Sequence, residues 1–135
     1  MRAKPKVLVV DDSEIALEMA RIRLEEAGFE VVTLSSPFGF SAELRAQTPD
    51  IVLLDVSMPA LQGDRLLQIA QRHVDDTPSS KGGPKRRRCP IVLYSDRPEQ
   101  ELGEIARACG ADGYVRKSLN FDAIVRALRR LLLER

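Results

Sequence analysis

Five side chains of this 135-residue chain could handle a phosphoryl group if folding gathered them: Asp11, Asp12, Asp55, Ser95 and Lys117. Asp11 and Asp12 directly follow the apolar run from Val7 to Val10, Asp55 ends the run from Ile51, Ser95 ends the run from Ile91, and Lys117 follows the shorter pair Tyr114-Val115. Three carboxylates in one place repel each other and raise one another's pKa. A hard divalent cation relieves that repulsion. Mg2+ takes oxygen ligands, keeps several waters and needs only one or two carboxylates beside a phosphate; carboxylates and carbonyls suffice for it. Asp55 would then be the nucleophile. A hydroxyl can donate to a phosphoryl oxygen and an ammonium can neutralise its charge, and phosphoryl transfer asks little more of a protein than such positioning and charge stabilisation. Taken singly, each residue reads blandly. An Asp after a strand is commonly a turn residue or a helix cap, Ser95 alone caps a turn, and Lys117 alone is a solvated lysine. The combination carries the reading, because every one of these groups lies at the carboxyl end of an apolar run and none at the opposite edge.

The elements that must position them are short apolar runs separated by helical patterns. Val7 to Val10, Val31 to Leu34, Ile51 to Leu54 and Ile91 to Tyr94, with the weaker Tyr114-Val115, are continuous and rich in β-branched residues. Strands buried on both faces of a parallel sheet read in this way. Between them, Ala16, Ala20, Leu24 and Ala27 share a helical face, with Met19 beside it and Gly28 closing it. Ser36-Pro37 opens a second helix around Phe40 and Leu44, and Leu66 and Ala70 mark a third. Leu102, Ile105, Ala106 and Cys109 mark a fourth, closed by Gly110. Phe121, Ile124, Val125, Leu128, Leu131 and Leu132 form the stripe of a fifth, with Asn120 as its N-cap. This alternation predicts right-handed βαβ units and one α/β domain over residues 1–135, its core from about 6 to 133, with helices on both faces of the sheet. Ligands of open α/β sheets bind beyond the carboxyl ends of the strands, where the strand order reverses. If that order is 2-1-3-4-5, the first and third strands meet there, and Asp11, Asp12 and Asp55 share one crevice.

Composition narrows the partners. The net charge of +1 from 21 basic and 20 acidic residues points to neither nucleic acid nor membrane. With 4% aromatics and no Trp, a surface built to stack bases is not expected. Cys89 and Cys109 have neither a metal nor a redox spacing and read as reduced thiols of a cytosolic protein. No apolar run approaches the length of a membrane span. One segment breaks the rhythm: His73 to Cys89, HVDDTPSSKGGPKRRRC, is long for a connection and reads as a surface loop. Its run Lys85-Arg86-Arg87-Arg88 is either a solvated basic loop or a docking patch for an acidic partner or nucleic acid. His73 reads as a residue at the end of the third helix rather than as a catalytic base.

The segments VLVVDDS, IVLLDVSMP, IVLYSD and GADGYVRKS resemble the characteristic blocks of response-regulator receiver domains, from about Lys6 to Leu133. The resemblance implies the CheY-like, flavodoxin-like fold: three layers, with a five-stranded parallel sheet in the order 2-1-3-4-5. That order rests on the resemblance alone. The resemblance also implies roles. Asp12 corresponds to the direct Mg2+ ligand, Asp11 to a ligand acting largely through water, and Asp55 to the phosphoacceptor, itself at the metal. Ser57 would lend its backbone carbonyl to the ion. Ser95 and Lys117 would grip the phosphoryl group, and Tyr114 is similar to the aromatic switch that follows Ser95. Met58-Pro59 and Gly63 match the turn after the phosphoacceptor. Two departures stand out: Ser118 replaces the usual proline after the lysine, and Asp96 puts a further acid where small residues are common.

The implied function is two-component signal transduction, with no turnover of an external substrate. A sensor histidine kinase or phosphotransfer protein would supply the phosphoryl group. The fourth helix, fifth strand and fifth helix would form the face that changes toward a downstream protein or a second copy. A stand-alone, cytoplasmic bacterial regulator is expected, with nucleic acid an improbable partner. The competing reading is a pseudo-receiver that binds partners without being phosphorylated. A DxDx phosphatase would need an acid where Ser57 stands, and a flavodoxin would need a phosphate loop where Asp11-Asp12 stand.

Overall fold

The computed structural model describes residues 4–58, 89–117 and 121–134. In chain order the elements are β1 (Lys6–Val10), α1 (Glu14–Glu26), β2 (Glu30–Leu34), α2 (Phe40–Gln47), β3 (Ile51–Asp55), β4 (Ile91–Ser95), α3 (Glu99–Cys109), β5 (Gly113–Arg116) and α4 (Asp122–Leu133). The expected helix around Leu66 and Ala70 lies outside the described residues, as do Pro59, Gly63, His73, the Lys85 to Arg88 run, Ser118 and Asn120. The helices labelled α3 and α4 are therefore the fourth and fifth expected from the sequence.

The strands form one sheet in the order β2-β1-β3-β4-β5, and every pairing is parallel. Its interior strands are apolar without alternation because both faces are covered. Leu8, Val10, Val52, Leu54 and Leu93 point to one face and pack with Phe40 of α2 and Leu102 and Ala106 of α3. Val7, Val9, Ile51, Leu53 and Val92 point to the other and pack with Leu17, Ala20 and Leu24 of α1 and Ile124 and Leu128 of α4. The result is a three-layer α/β fold. Truncating a fully buried leucine such as Leu53 to alanine is expected to cost about 2–5 kcal/mol.

The helices depart from expectation in three places. The inward stripe of α1 is Leu17, Ala20 and Leu24, and Met19 is 57% exposed. Ala20 and Leu24 are buried as expected, while Ala16 is only half-buried and Leu17, one residue on, takes the inward position. Helix α2 begins at Phe40, past Ser36-Pro37. There the Ser36 hydroxyl accepts from the Phe38 amide (3.2 Å) and the Pro37 carbonyl from the Phe40 amide (3.2 Å), making a turn ahead of the helix. The N-cap of α4 is Phe121 rather than the expected Asn120, while the glycine stops after α1 and α3 stand where expected. Gly28 and Gly110 follow α1 and α3 with φ of 98° and 75°, left-handed values that glycine adopts without strain.

Candidate functional site

Register gathers the chemistry. Val10 of β1 lies opposite Leu54 of β3, so the next residue on each strand, Asp11 and Asp55, comes out side by side. Asp55 is itself opposite Tyr94 of β4, which puts Ser95 one step beyond, and Ser95 is opposite Arg116 of β5. Lys117 follows, its amide donating to the Ser95 carbonyl at 2.8 Å. All five expected residues thus sit at the carboxyl edge of the sheet. Ser13 caps α1 by accepting from the Ala16 amide (3.2 Å), which fixes the short turn that carries Asp11 and Asp12.

Asp11, Asp55 and Ser95 are the buried polar residues of the described chain. Each is held by specific partners, as buried polar groups must be. Oδ1 of Asp11 accepts from the Ser13 amide at 3.0 Å. Its Oδ2 accepts both from the Tyr94 hydroxyl, at 2.6 Å, and from Nζ of Lys117, at 3.0 Å. The same ammonium lies 3.2 Å from Oδ2 of Asp55 and 4.7 Å from the centre of the Tyr94 ring. Oδ1 of Asp55 accepts from the Ser57 amide at 2.8 Å. The Ser95 hydroxyl lies 2.9 Å from that of Ser57 and accepts from the Arg97 amide at 3.1 Å.

The two buried acids titrate in opposite directions. Burial pushes Asp55 up, and the nearby Asp11 charge adds to it, against the Ser57 amide and Lys117; the outcome is a pKa above the ordinary aspartate value. Burial also acts to raise Asp11, but the Tyr94 hydroxyl, the Ser13 amide and Lys117 outweigh it, and its pKa lies below that value. Burial disfavours the Lys117 ammonium, yet hydrogen bonding and charge from Asp11 and Asp55 more than compensate and raise its pKa. Asp11 is therefore the settled anion, and Asp55 is the acid whose charge is least compensated.

Asp11, Asp12 and Asp55 offer carboxylate oxygens that all lie within 4.8 Å of one another, with Asp12 exposed at the mouth. The donors are all oxygen, with neither His nor Cys among them, which fits a hard cation of the Mg2+ kind rather than a soft metal. Tyr114 stands apart from this cluster. Opposite Leu93 in the sheet and 38% exposed, it lies across α3, where a Cβ on Gly103 would come within 3.1 Å of its hydroxyl. Asp96 is exposed beside Ser95, and its carbonyl accepts from Arg116 at 3.4 Å.

Sequence reading misses Tyr94, which contacts both Asp11 and Lys117, and the Ser57 hydroxyl. The signal for the first is present: a phenol follows three aliphatic residues inside a buried strand, and a buried hydroxyl requires a partner.

The chain matches the family model described as "Response regulator receiver domain" over residues 7–129. It is 31% identical over 130 residues to the phosphate regulon transcriptional regulatory protein PhoB of Rhizobium meliloti (strain 1021), covering 95% of this chain and 52% of that protein. The chain thus spans about half the length of that relative. Among solved structures, the chemotaxis protein CheY4 of Vibrio cholerae superposes with a TM-score of 0.74 at 26% identity, over 96% of this chain and 99% of that one. The response regulator TrrA of Thermotoga maritima, solved in complex with Mg2+-BeF, superposes with a TM-score of 0.73 at 25% identity, over 94% of this chain and 98% of that one.

Proposed function

Because this chain belongs to the response-regulator receiver family, we propose that it serves two-component signalling by accepting a phosphoryl group on Asp55 in a Mg2+-dependent transfer. The donor would be a phosphohistidine on a sensor kinase or phosphotransfer protein, or a small phosphodonor. The observation that carries this reading is the position of Asp55: buried, raised in pKa and 3.2 Å from the Lys117 ammonium, in one cluster with two further acids at the carboxyl edge of the sheet.

Asp12 and Asp55 would hold the ion directly, Asp11 largely through water, and Ser57 through its backbone carbonyl. Bound there, Mg2+ would neutralise charge on the phosphoryl oxygens. The chain's own groups do the rest. An oxygen of Asp55 forms the new O–P bond as the P–N bond of the phosphohistidine breaks, and the departing imidazole keeps the electron pair. Lys117 turns from the carboxylate to a phosphoryl oxygen, and Ser95 donates its hydroxyl to another. The aspartyl phosphate brings about −1.5 to −2 charges at neutral pH. As Ser95 moves, Tyr114 leaves its exposed position and packs inward, and the α3–β5–α4 face changes for a downstream protein or a second copy of the chain.

The relatives named as transcriptional regulators are about twice as long as the stretch matched here. For this stretch we propose a protein partner rather than nucleic acid, on its net charge of +1 and its 4% aromatic content. No helix among the described residues is long and apolar enough to cross a membrane. A cytoplasmic location is proposed from the family membership, not from that absence.

A pseudo-receiver would keep the fold and ignore the ligand. Titration of the chain with Mg2+ and beryllofluoride, followed by amide NMR, separates the two. The proposed function expects shifts from Asp55 through Ser95 to Tyr114; no shift beyond those of Mg2+ alone would select the pseudo-receiver.

A further inference from the structure

Tyr94 is the residue of the site that the phosphorylation chemistry leaves without a task. It is 3% exposed and stands next to the end of a strand whose other apolar members, Ile91, Val92 and Leu93, are aliphatic. A phenylalanine would fill the same volume. The hydroxyl is therefore the informative atom, and it is spent on one bond, 2.6 Å to Oδ2 of Asp11, the short distance of a charge-assisted hydrogen bond. The same oxygen takes the Lys117 ammonium at 3.0 Å, and that ammonium stands 4.7 Å from the centre of the Tyr94 ring. One side chain thus touches a metal-facing acid with its hydroxyl and the phosphate-facing lysine with its ring. With the Ser13 amide on Oδ1, Asp11 has both oxygens fixed and cannot rotate about its carboxylate axis without breaking a hydrogen bond.

We infer that Tyr94 is a positioning residue of the phosphorylation site: its hydroxyl fixes the Asp11 carboxylate toward the cation, and its ring keeps the Lys117 ammonium over Asp55. The inference rests on the proposed function for its purpose, but its first test does not. Groups that orient a metal ligand from behind typically carry 10–100-fold of metal affinity. A cation above a tyrosine face is a favourable contact, here added to the two ion pairs that Lys117 makes with Asp11 and Asp55.

The test is Mg2+ calorimetry on the full chain and on Tyr94→Phe, with the thermal midpoint of each measured alongside. The hydroxyl role predicts a Kd for Mg2+ raised about 10-fold in Tyr94→Phe. An unchanged Kd overturns it, whatever the midpoint does, since a purely structural phenol would lower the midpoint alone. The chain has two tyrosines and no Trp, so in a Tyr114→Phe background the fluorescence of Tyr94 reports its own hydrogen bond. Mg2+ is expected to change that emission, and an unresponsive Tyr94 counts against the role. For the ring, Tyr94→Leu and Tyr94→Phe are compared at saturating Mg2+ with acetyl phosphate as donor. A phosphorylation rate at least several-fold lower in the leucine variant supports the ring's hold on Lys117, and equal rates overturn it. A native chain that binds Mg2+ yet takes no phosphoryl group would sink the proposed function while leaving the affinity comparison for Tyr94 intact.

Discussion

The hydroxyls of Ser57 and Ser95 lie 2.9 Å apart, joining the loop after β3 to the end of β4 directly beside Asp55. In the proposed mechanism Ser95 must give up this partner to reach a phosphoryl oxygen. A hydrogen bond of this kind contributes about 1 kcal/mol net. Ser57→Ala removes the competitor and leaves the Arg97 amide on Ser95. Beryllofluoride in the presence of Mg2+ is expected to bind the variant about 5-fold more tightly, read by calorimetry. Weaker binding would mean that the Ser57 hydroxyl helps to hold the phosphoryl group instead.

The opposed shifts of the two acids give stability a definite pH dependence. Asp55 has a raised pKa in the fold, so its contribution is fully present below the ordinary aspartate value and is lost as pH rises through the raised one. Asp11 has a lowered pKa, so its contribution is present above the ordinary value and lost as pH falls through the lowered one. Without Mg2+, Asp55→Asn should therefore raise the thermal midpoint at pH 7 by a few degrees, about 4 °C for each kcal/mol in a domain of this size. The gain should vanish below about pH 4, where the native carboxyl is protonated as well. A gain that does not depend on pH would contradict the assignment of Asp55 as the strained charge.

Lys117 is the internal counter-ion of Asp11 and Asp55. Lys117→Met leaves two neighbouring buried carboxylates without it, and losing one partner of a buried ion pair costs about 3 kcal/mol. Thermal denaturation should show that loss, and Mg2+ should restore more of the midpoint in the variant than it adds to the native chain. Phosphorylation by a small donor should fall about 100-fold or more. Equal Mg2+ responses would place the cation away from these acids.

Gly103 interrupts α3 where alanine would favour the helix by about 1 kcal/mol. A Cβ there would meet the Tyr114 ring at 3.2 Å and its hydroxyl at 3.1 Å, tighter than a relaxed contact allows. Gly103→Ala should therefore stabilise a Tyr114→Ala background by about 1 kcal/mol and the native background by clearly less, with the Tyr114 ring resonances displaced. Equal gains in a double-mutant cycle would show that the ring does not use the notch.

Much of this arrangement is legible in the residues themselves. Unbroken apolar runs such as Val7 to Val10 belong to strands covered on both faces, and Leu8 and Val9 do point into opposite cores. The acids, Ser95 and Lys117 can be placed because each follows such a run, and parallel register then aligns their positions without further information. The strand order itself comes from the family resemblance, since periodicity says which residues form strands and not which strands pair. The stripe of α1 is easily misread because alanine at Ala16 fits an inward or an outward face equally well. The start of α2 is misplaced because Ser36 and Pro37 build a turn as readily as a helix N-terminus. Tyr94 is absorbed into its apolar run, since a ring that is mostly hydrocarbon hides a hydroxyl whose partner, Asp11, lies 83 residues away.

The most direct test of the central claim is intact-mass spectrometry after incubation with acetyl phosphate, with and without Mg2+, on the native chain and Asp55→Asn. A single phosphoryl increment is expected on the native chain with Mg2+ alone. No increment there, or one that persists in Asp55→Asn, would contradict it.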